Sequence, residues 1–258
     1  MTNILVNDFV ITFLIFLRVI AVLGTAPIFG HQSVPAIAKV FLAGIIAYIT
    51  FLTLNTAKIQ VEPDFFSMAF YGLKEIITGL IIGFSLNLIF YGFSFAGMLI
   101  GNDMGLNMAS ALNPLQETES DVIGQVINVF AILIFFLIDG HHYIIRAVVS
   151  SFRVIPLGKY TLTQPAFDIF IRYTGAVFVI AVKIASPVMV SFFLVHLAEG
   201  IIARVIPQMP IFFVTQPLKL GLGFLLLVFI LPIYMYFFKG MLASYENSLY
   251  DLIKAMGS

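Results

Sequence analysis

Few residues of this chain could do chemistry, and they lie within or beside long apolar runs. Asp139, His141 and His142 stand together after one such run, where they could suggest a metal or proton site. Adjacent histidines do not share one face of a helix, whereas helical metal-binding pairs are four residues apart. The spacing therefore favours a structural role at the end of a helix over a metal site.

Four other ionisable residues are predicted to be buried polar residues: Arg18, Lys183, His196 and Glu199. A charge at the centre of a lone lipid-facing helix costs about 2.5–3.5 kcal/mol, so Arg18 and Lys183 should face a bundle interior, a partner or water. His196 and Glu199 are three residues apart, near Arg204. They could form a proton relay or a polar cluster that satisfies itself at a helix end.

Catalytic motifs are absent from the sequence. There is no nucleophile elbow, zinc-protease helix, phosphate-binding loop or dinucleotide glycine motif. The chain contains no cysteine, which excludes disulfides and cysteine-ligated metals. We therefore predict a protein that is not an enzyme and has no catalytic residue, cofactor or metal.

The segment 97–121 is where the apolar pattern breaks. Gly97, Gly101 and Gly105 are spaced by four, which lets another backbone approach closely. Pro114 follows an asparagine and indicates a turn. Irregular backbone facing lipid would leave polar groups unsatisfied, so we predict that this segment lies inside protein or along a water path.

Composition identifies the class of protein that must position these residues. The 258 residues are 61% hydrophobic and 10% charged, against about 25% charged in soluble domains. The net charge of zero gives no reason to expect nucleic-acid binding. We predict an all-α membrane protein, one unit over residues 1–258, with about six long hydrophobic helices. The apolar runs are Phe9–Phe29, Ala36–Leu54, Phe65–Gly101, Val122–Ile138, Ile169–Val195 and Leu218–Phe238.

The third run is too long for a simple span. Its 37 residues would form a helix of roughly 55 Å, against a hydrocarbon core of ~30 Å. We expect it to protrude, to kink at a glycine or to form two elements. In the last run, Pro217 should open the helix and Pro232 should kink it.

Charge placement predicts a topology. With six spans, seven Lys or Arg lie on the side of the termini and one on the other side, which favours cytoplasmic termini. No Lys or Arg precedes the first run, which is also too long for a signal-peptide core, so we expect it to be a retained helix.

Several blocks in the same order resemble the FliR family of flagellar export-gate proteins, whose relatives serve in virulence type III secretion. The blocks are FLRVIAVLGTAPIFG with VPAIAKVFLAG, AGMLIGNDMGL with a following NP, FFLIDGHHYIIRAVVSSF with PLG, and ASPVMVSFFLVHLAEGIIARVIPQMPIFFVTQPLKLGLGFLLL. The resemblance extends from about residue 9 to 245. It implies helical hairpins, some FliP-like and some FliQ-like, in a non-catalytic subunit.

The resemblance also implies partners and a mechanism. The family forms a gate with FliP and FliQ in the bacterial inner membrane, at the flagellar basal body, with FlhB and FlhA as further partners. Unfolded flagellar proteins pass through its pore, and a loop plugs the closed pore. Carried over by position, the plug loop is about 102–120. Its expected plug residues are Met104, Gly105, Leu106, Met108, Leu112 and Pro114, and the expected helix-packing glycines are Gly79, Gly83, Gly97 and Gly101.

Two features of that loop bear on gating. An apolar constriction can close a pore by excluding water, and methionines can yield when a chain pushes through. Asp103 would place a negative charge next to the seal. Competing interpretations are a virulence secretion gate, a proton-coupled transporter of small solutes that uses Arg18, His196 and Glu199, and a membrane enzyme acting on lipid.

Overall fold

The structure, a computed structural model, describes residues 2–54, 65–106, 122–159, 163–208 and 210–256. Every element within these ranges is an α-helix. The helices are α1 Thr2–Thr25, α2 Ala36–Thr53, α3 Phe65–Asp103, α4 Val122–Leu137, α5 Gly140–Val154, α6 Gln164–Val205 and α7 Ile211–Met256. This confirms the all-α fold predicted from the apolar runs.

Five of the described helices are long and apolar enough to cross a membrane, and there are six if α4 and α5 together count as one broken span. The third run is one continuous helix of 39 residues, so it does not divide at a glycine. Helices α6 and α7, with 42 and 46 residues, are also longer than the roughly 17–25 residues of a typical membrane span.

The chain divides into two compact units. The single export-gate unit over residues 1–258 stays a prediction. The first unit comprises Met1–Leu88, Asp139–Tyr173 and Ala243–Ser258, and the second comprises Ile89–Ile138 and Thr174–Leu242. Helices α3, α6 and α7 each contribute residues to both units.

In the first unit, α1 packs against α2 and against the first half of α3. Glycines allow the close approach of α3: a Cβ on Gly79 would lie 2.5 Å from the carbonyl oxygen of Arg18, and one on Gly83 would lie 2.7 Å from that of Val22. These two positions therefore let the helix backbones approach within a distance that no side chain would permit.

In the second unit, phenylalanines from three helices form the core. Phe90 of α3 makes edge contacts with Phe135 of α4 and Phe238 of α7, at ring-centre distances of 5.5 and 5.9 Å. Such edge-to-face pairs contribute beyond their buried area. A Cβ on Gly97 would lie 2.6 Å from the amide nitrogen of Gly124, so α3 and α4 also meet at glycines.

Two helix boundaries differ from the sequence prediction. Asp139, in a left-handed conformation with φ of 57°, immediately precedes α5, so His141 and His142 begin a helix and do not end one. Pro217 lies inside α7, which begins at Ile211, and not at the helix start that we predicted. Six residues before Pro217 already form helix, so this proline lies past the first turn and removes the backbone donor that would otherwise pair with the carbonyl of Phe213.

Candidate functional site

The candidate site is the end of α3, where the predicted plug loop begins. The amide of Leu106 donates to the carbonyl of Gly101 at 3.1 Å, and the amide of Gly105 donates to that of Asn102 at 3.0 Å. Gly105 has φ of +77°. This pair of bonds around a left-handed glycine is a Schellman motif, which satisfies the last carbonyls of a helix and stops it.

Helix α7 holds this turn. The side-chain amide of Gln216 donates to the carbonyl oxygen of Met104 at 3.0 Å. The same side chain lies directly against Gly105, where a Cβ would be 2.6 Å from its Nε2 atom. Met104 itself is 0% exposed and lies over Gly223, whose missing side chain leaves room for the thioether. The first residues of the loop are thus fixed by one hydrogen bond and by packing.

Charged residues surround the same turn. Lys219 of α7 lies 2.9 Å from the carboxylate of Glu199 on α6. Asp103, the last residue of α3, interacts electrostatically with Lys219 and with His196. The carboxylate that we expected beside the seal therefore interacts with a histidine of α6 and a lysine of α7.

A second polar cluster lies in the first unit, around Arg18. Its guanidinium is 0% exposed and lies 2.5 Å from the carboxylate of Glu75, which is also 0% exposed. It also donates to the carbonyl of Ile155 at 3.1 Å and lies over the ring of Phe152, 4.1 Å from its centre. Arg18 therefore joins α1 to α3 and to the end of α5.

Glu75 completes this cluster by holding the turn after α5. Its other carboxylate oxygen accepts the amide of Gly158 at 2.8 Å, and Lys74 donates to the carbonyl of Gly158 at 3.3 Å. Gly158 has φ of +72° and packs on the ring of Tyr71, so this turn requires glycine. Arg18 and Glu75 thus form a buried ion pair whose remaining polar atoms are hydrogen-bonded, as buried charges in proteins usually are.

The other predicted site residues differ in burial, and some lie outside the described residues. Lys183 and His196, which we expected to be buried, are exposed in the single chain, and Glu199 is half-buried. Lysine and histidine side chains at a helix surface keep their polar ends accessible to water. Gly101 is buried beside the turn at the end of α3. Met108, Leu112 and Pro114 lie outside the described residues.

The structure brings Asp139, His141 and His142 together, with one donor atom from each within 4.8 Å of the others. The Nδ1 atom of His142 lies 3.8 Å from a carboxylate oxygen of Asp139, and both side chains are mostly exposed. The ring centres of His141 and His142 are 4.1 Å apart, closer than we expected for adjacent residues of a helix. The structural role predicted for the two histidines stays a prediction.

Gln216 and Glu75 were not singled out from the sequence. Glu75 had a usable signal, since a carboxylate inside an apolar run needs a partner, and Arg18 is one of several basic residues within such runs. Gln216 carried no such signal. It is a neutral side chain, and the carbonyl of Met104 to which it donates is 112 residues away in the sequence.

Comparison with known proteins gives consistent results over most of the chain. The family described as bacterial export proteins, family 1, matches residues 9–245. The chain is 32% identical over 230 residues to the flagellar biosynthetic protein FliR of Bacillus subtilis, covering 88% of each chain. It is 30% identical to FliR of Pectobacterium carotovorum, covering 94% of this chain and 92% of the relative, and 29% identical to FliR of Escherichia coli, covering 93% and 91%.

Proposed function

The chain belongs to the bacterial export proteins, family 1, which includes the flagellar FliR proteins, and from this membership we propose that it is a non-catalytic subunit of the flagellar protein export gate. In this proposal it lies in the bacterial inner membrane and lines and plugs the pore through which unfolded flagellar proteins pass. The flagellar names of its relatives favour this cargo over a virulence one.

One observation carries the proposal of a plug: the loop after α3 starts from a fixed point. Gln216 and Gly223 of α7 hold Met104 and Gly105 by a hydrogen bond and by close packing. A plug must return to one place after each opening, and an anchored first turn limits where the following residues can reach. The methionine and leucine side chains of the loop would then exclude water at the constriction.

The apolar surface of the single chain fits a subunit of a larger assembly. The apolar 18-residue stretches that qualify α2, α6 and α7 as spans have only 22–28% of their residues buried within the chain. Lipid and neighbouring apolar subunits are the two environments that accommodate such surface. We propose FliP and FliQ as the direct partners, with FlhB and FlhA as further partners in the export apparatus.

Membrane permeability tests the plug. Deletion of residues 106–112 should raise conductance, or uptake of a small solute, in cells that carry the assembled gate. A matched variant replaces the same seven residues by glycine and serine, which keeps the length and removes the apolar side chains. We expect both variants to leak, because sealing depends on those side chains. Unchanged permeability in both would refute the plug.

Co-purification tests the assembly. Mild-detergent extraction of the tagged chain should recover small membrane proteins identified by mass spectrometry as FliP and FliQ. The chain alone, reconstituted in vesicles, should transport no small solute. Solute transport by the chain alone would instead favour the transporter interpretation that uses Arg18, His196 and Glu199.

A further inference from the structure

A groove of about 410 Å³ lies in the first unit, between α5 and the last turns of α7. We call it the α5–α7 groove. Its lining includes Tyr143, Arg146 and Arg153 from α5, and Leu249, Tyr250 and Ile253 from α7. Neither the ion-pair cluster of Arg18 nor the end of α3 contributes to it, so the proposed gate function does not account for it.

One wall of the groove is cationic. Arg146 and Arg153 are seven residues apart, so they lie on one side of α5 at about 10 Å along its axis. Both are exposed, and neither has a carboxylate partner among the side chains that the structure describes. Among the side chains that the structure describes, the lining of the groove includes no acidic residue. An anion that enters it would meet two exposed guanidinium groups.

The opposite wall is apolar. Leu249 and Ile253 lie at its base and are 1% exposed each, so the apolar surface that a ligand can reach comes from Tyr250, which is 54% exposed, and from the half-buried Ile145 and Val149. Tyr143 also lines the groove, and tyrosine is enriched where membrane proteins meet lipid headgroups. A ligand that satisfies both walls must carry a negative charge at one end and hydrocarbon at the other.

The helix that carries the arginines is firmly placed. Its opposite face is buried through Ile144, Ala147, Val148, Ser151 and Phe152. At its end, the carbonyl of Ile155 accepts two hydrogen bonds from Arg18. The two exposed arginines are therefore presented from a fixed helix, which lowers the ordering cost of binding.

We propose that the α5–α7 groove binds an anionic phospholipid, with its phosphate at Arg146 and Arg153 and the start of an acyl chain along the exposed ring of Tyr250 and the half-buried apolar side chains of the lining. Basic pockets between the helices of membrane proteins bind such headgroups. The volume is in the range of small-molecule sites and too small for a helical peptide, which favours lipid over an acidic protein segment.

The absence of tryptophan from the chain permits a specific test. Tyr250→Trp places a single fluorescent reporter in the groove of the full-length chain. The protein is reconstituted in vesicles that contain phosphatidylcholine and an increasing fraction of phosphatidylglycerol, and only one of the two lipids carries brominated acyl chains. Bromine quenches tryptophan on contact, so the quenching measures which lipid occupies the groove.

We expect brominated phosphatidylglycerol to quench at a several-fold lower mole fraction than brominated phosphatidylcholine. Replacing Arg146 and Arg153 by glutamine should abolish this preference, because the two arginines supply the attraction for the anionic headgroup. The matched control replaces Arg172 and Lys183, exposed cations of α6 outside the groove, and should leave the preference unchanged.

Three results would overturn the proposal. The first is equal quenching by the two lipids, or a preference that survives the double arginine substitution. The second is loss of the preference in excess inorganic phosphate at constant ionic strength, which would assign the groove to a free anion. The third is a reporter shielded from both lipids in the co-purified assembly, which would assign the groove to an acidic protein partner.

Discussion

Substitution of Glu75 by glutamine should destabilise the chain strongly while changing its shape little. The variant keeps the size of the side chain and an oxygen for the amide of Gly158, but it leaves the charge of Arg18 buried at 0% exposure without a counter-charge. Breaking a buried pair in this way costs about 3–5 kcal/mol. Arg18 retains the carbonyl of Ile155 and the ring of Phe152, so we expect the lower end, about 3 kcal/mol.

This loss corresponds to a fall of roughly 6–12 °C in the midpoint of thermal unfolding, at about 2–4 °C per kcal/mol for a chain of this size. The midpoint is measured in detergent from the helical circular dichroism signal. Asp168→Asn, which neutralises an exposed carboxylate that accepts a hydrogen bond from Gln164, is the control and should shift it little.

A double-mutant cycle separates the ion pair from packing. Arg18→Met removes the other charge, and the double variant with Glu75→Gln should lose less stability than the sum of the single variants, because no unpaired charge remains. If Glu75→Gln shifts the midpoint no more than Asp168→Asn does, or if the two substitutions are additive, the pair does not stabilise the fold as argued.

Three further predictions concern the turn after α3 and the packing of that helix. Gln216→Leu removes the donor to the carbonyl of Met104 and should raise small-solute permeability of the assembled gate, whereas a stability loss of about 1 kcal/mol without any leak would refute its role in anchoring. Gly105→Ala should cost about 1–2 kcal/mol, because φ of +77° disfavours any side chain, and a thermal midpoint equal to that of the unmodified chain would contradict this. Gly79→Val should lower the yield of folded protein in size-exclusion chromatography by forcing α3 away from α1, whereas the neighbouring exposed Leu80→Val should behave like the unmodified chain.

Much of the fold follows from hydrophobic length alone. The runs predicted to start at Ala36, Phe65 and Val122 begin helices at those same residues, because an uninterrupted apolar stretch has no better way to satisfy its backbone in a membrane. Helix α5 could not be found in this way, since it is amphipathic and lies in a segment that reads as polar. Its separate start depends on Asp139 in the left-handed conformation, which is uncommon for residues other than glycine.

The place where α3 ends was predictable only in part. The segment from Gly97 to Asp121 was predicted to be irregular, whereas α3 continues through Gly97 to Asp103 and the left-handed turn follows at Gly105. The residues that hold this turn come from α7, and no local pattern connects a glutamine to a carbonyl 112 residues away. Arg18 was recognised as needing a partner, but the choice of Glu75 among the possible partners depends on how the helices pack.

The hydrogen-bonded stop after α3 also makes the chain modular at that point. A Schellman turn satisfies its own carbonyls, so the helix does not depend on the residues that follow Leu106 for its termination. Loops of other lengths or compositions, grafted after that residue from related proteins, should leave the preceding helix intact. The length and composition of such a loop can therefore change without a change in the helix that precedes it.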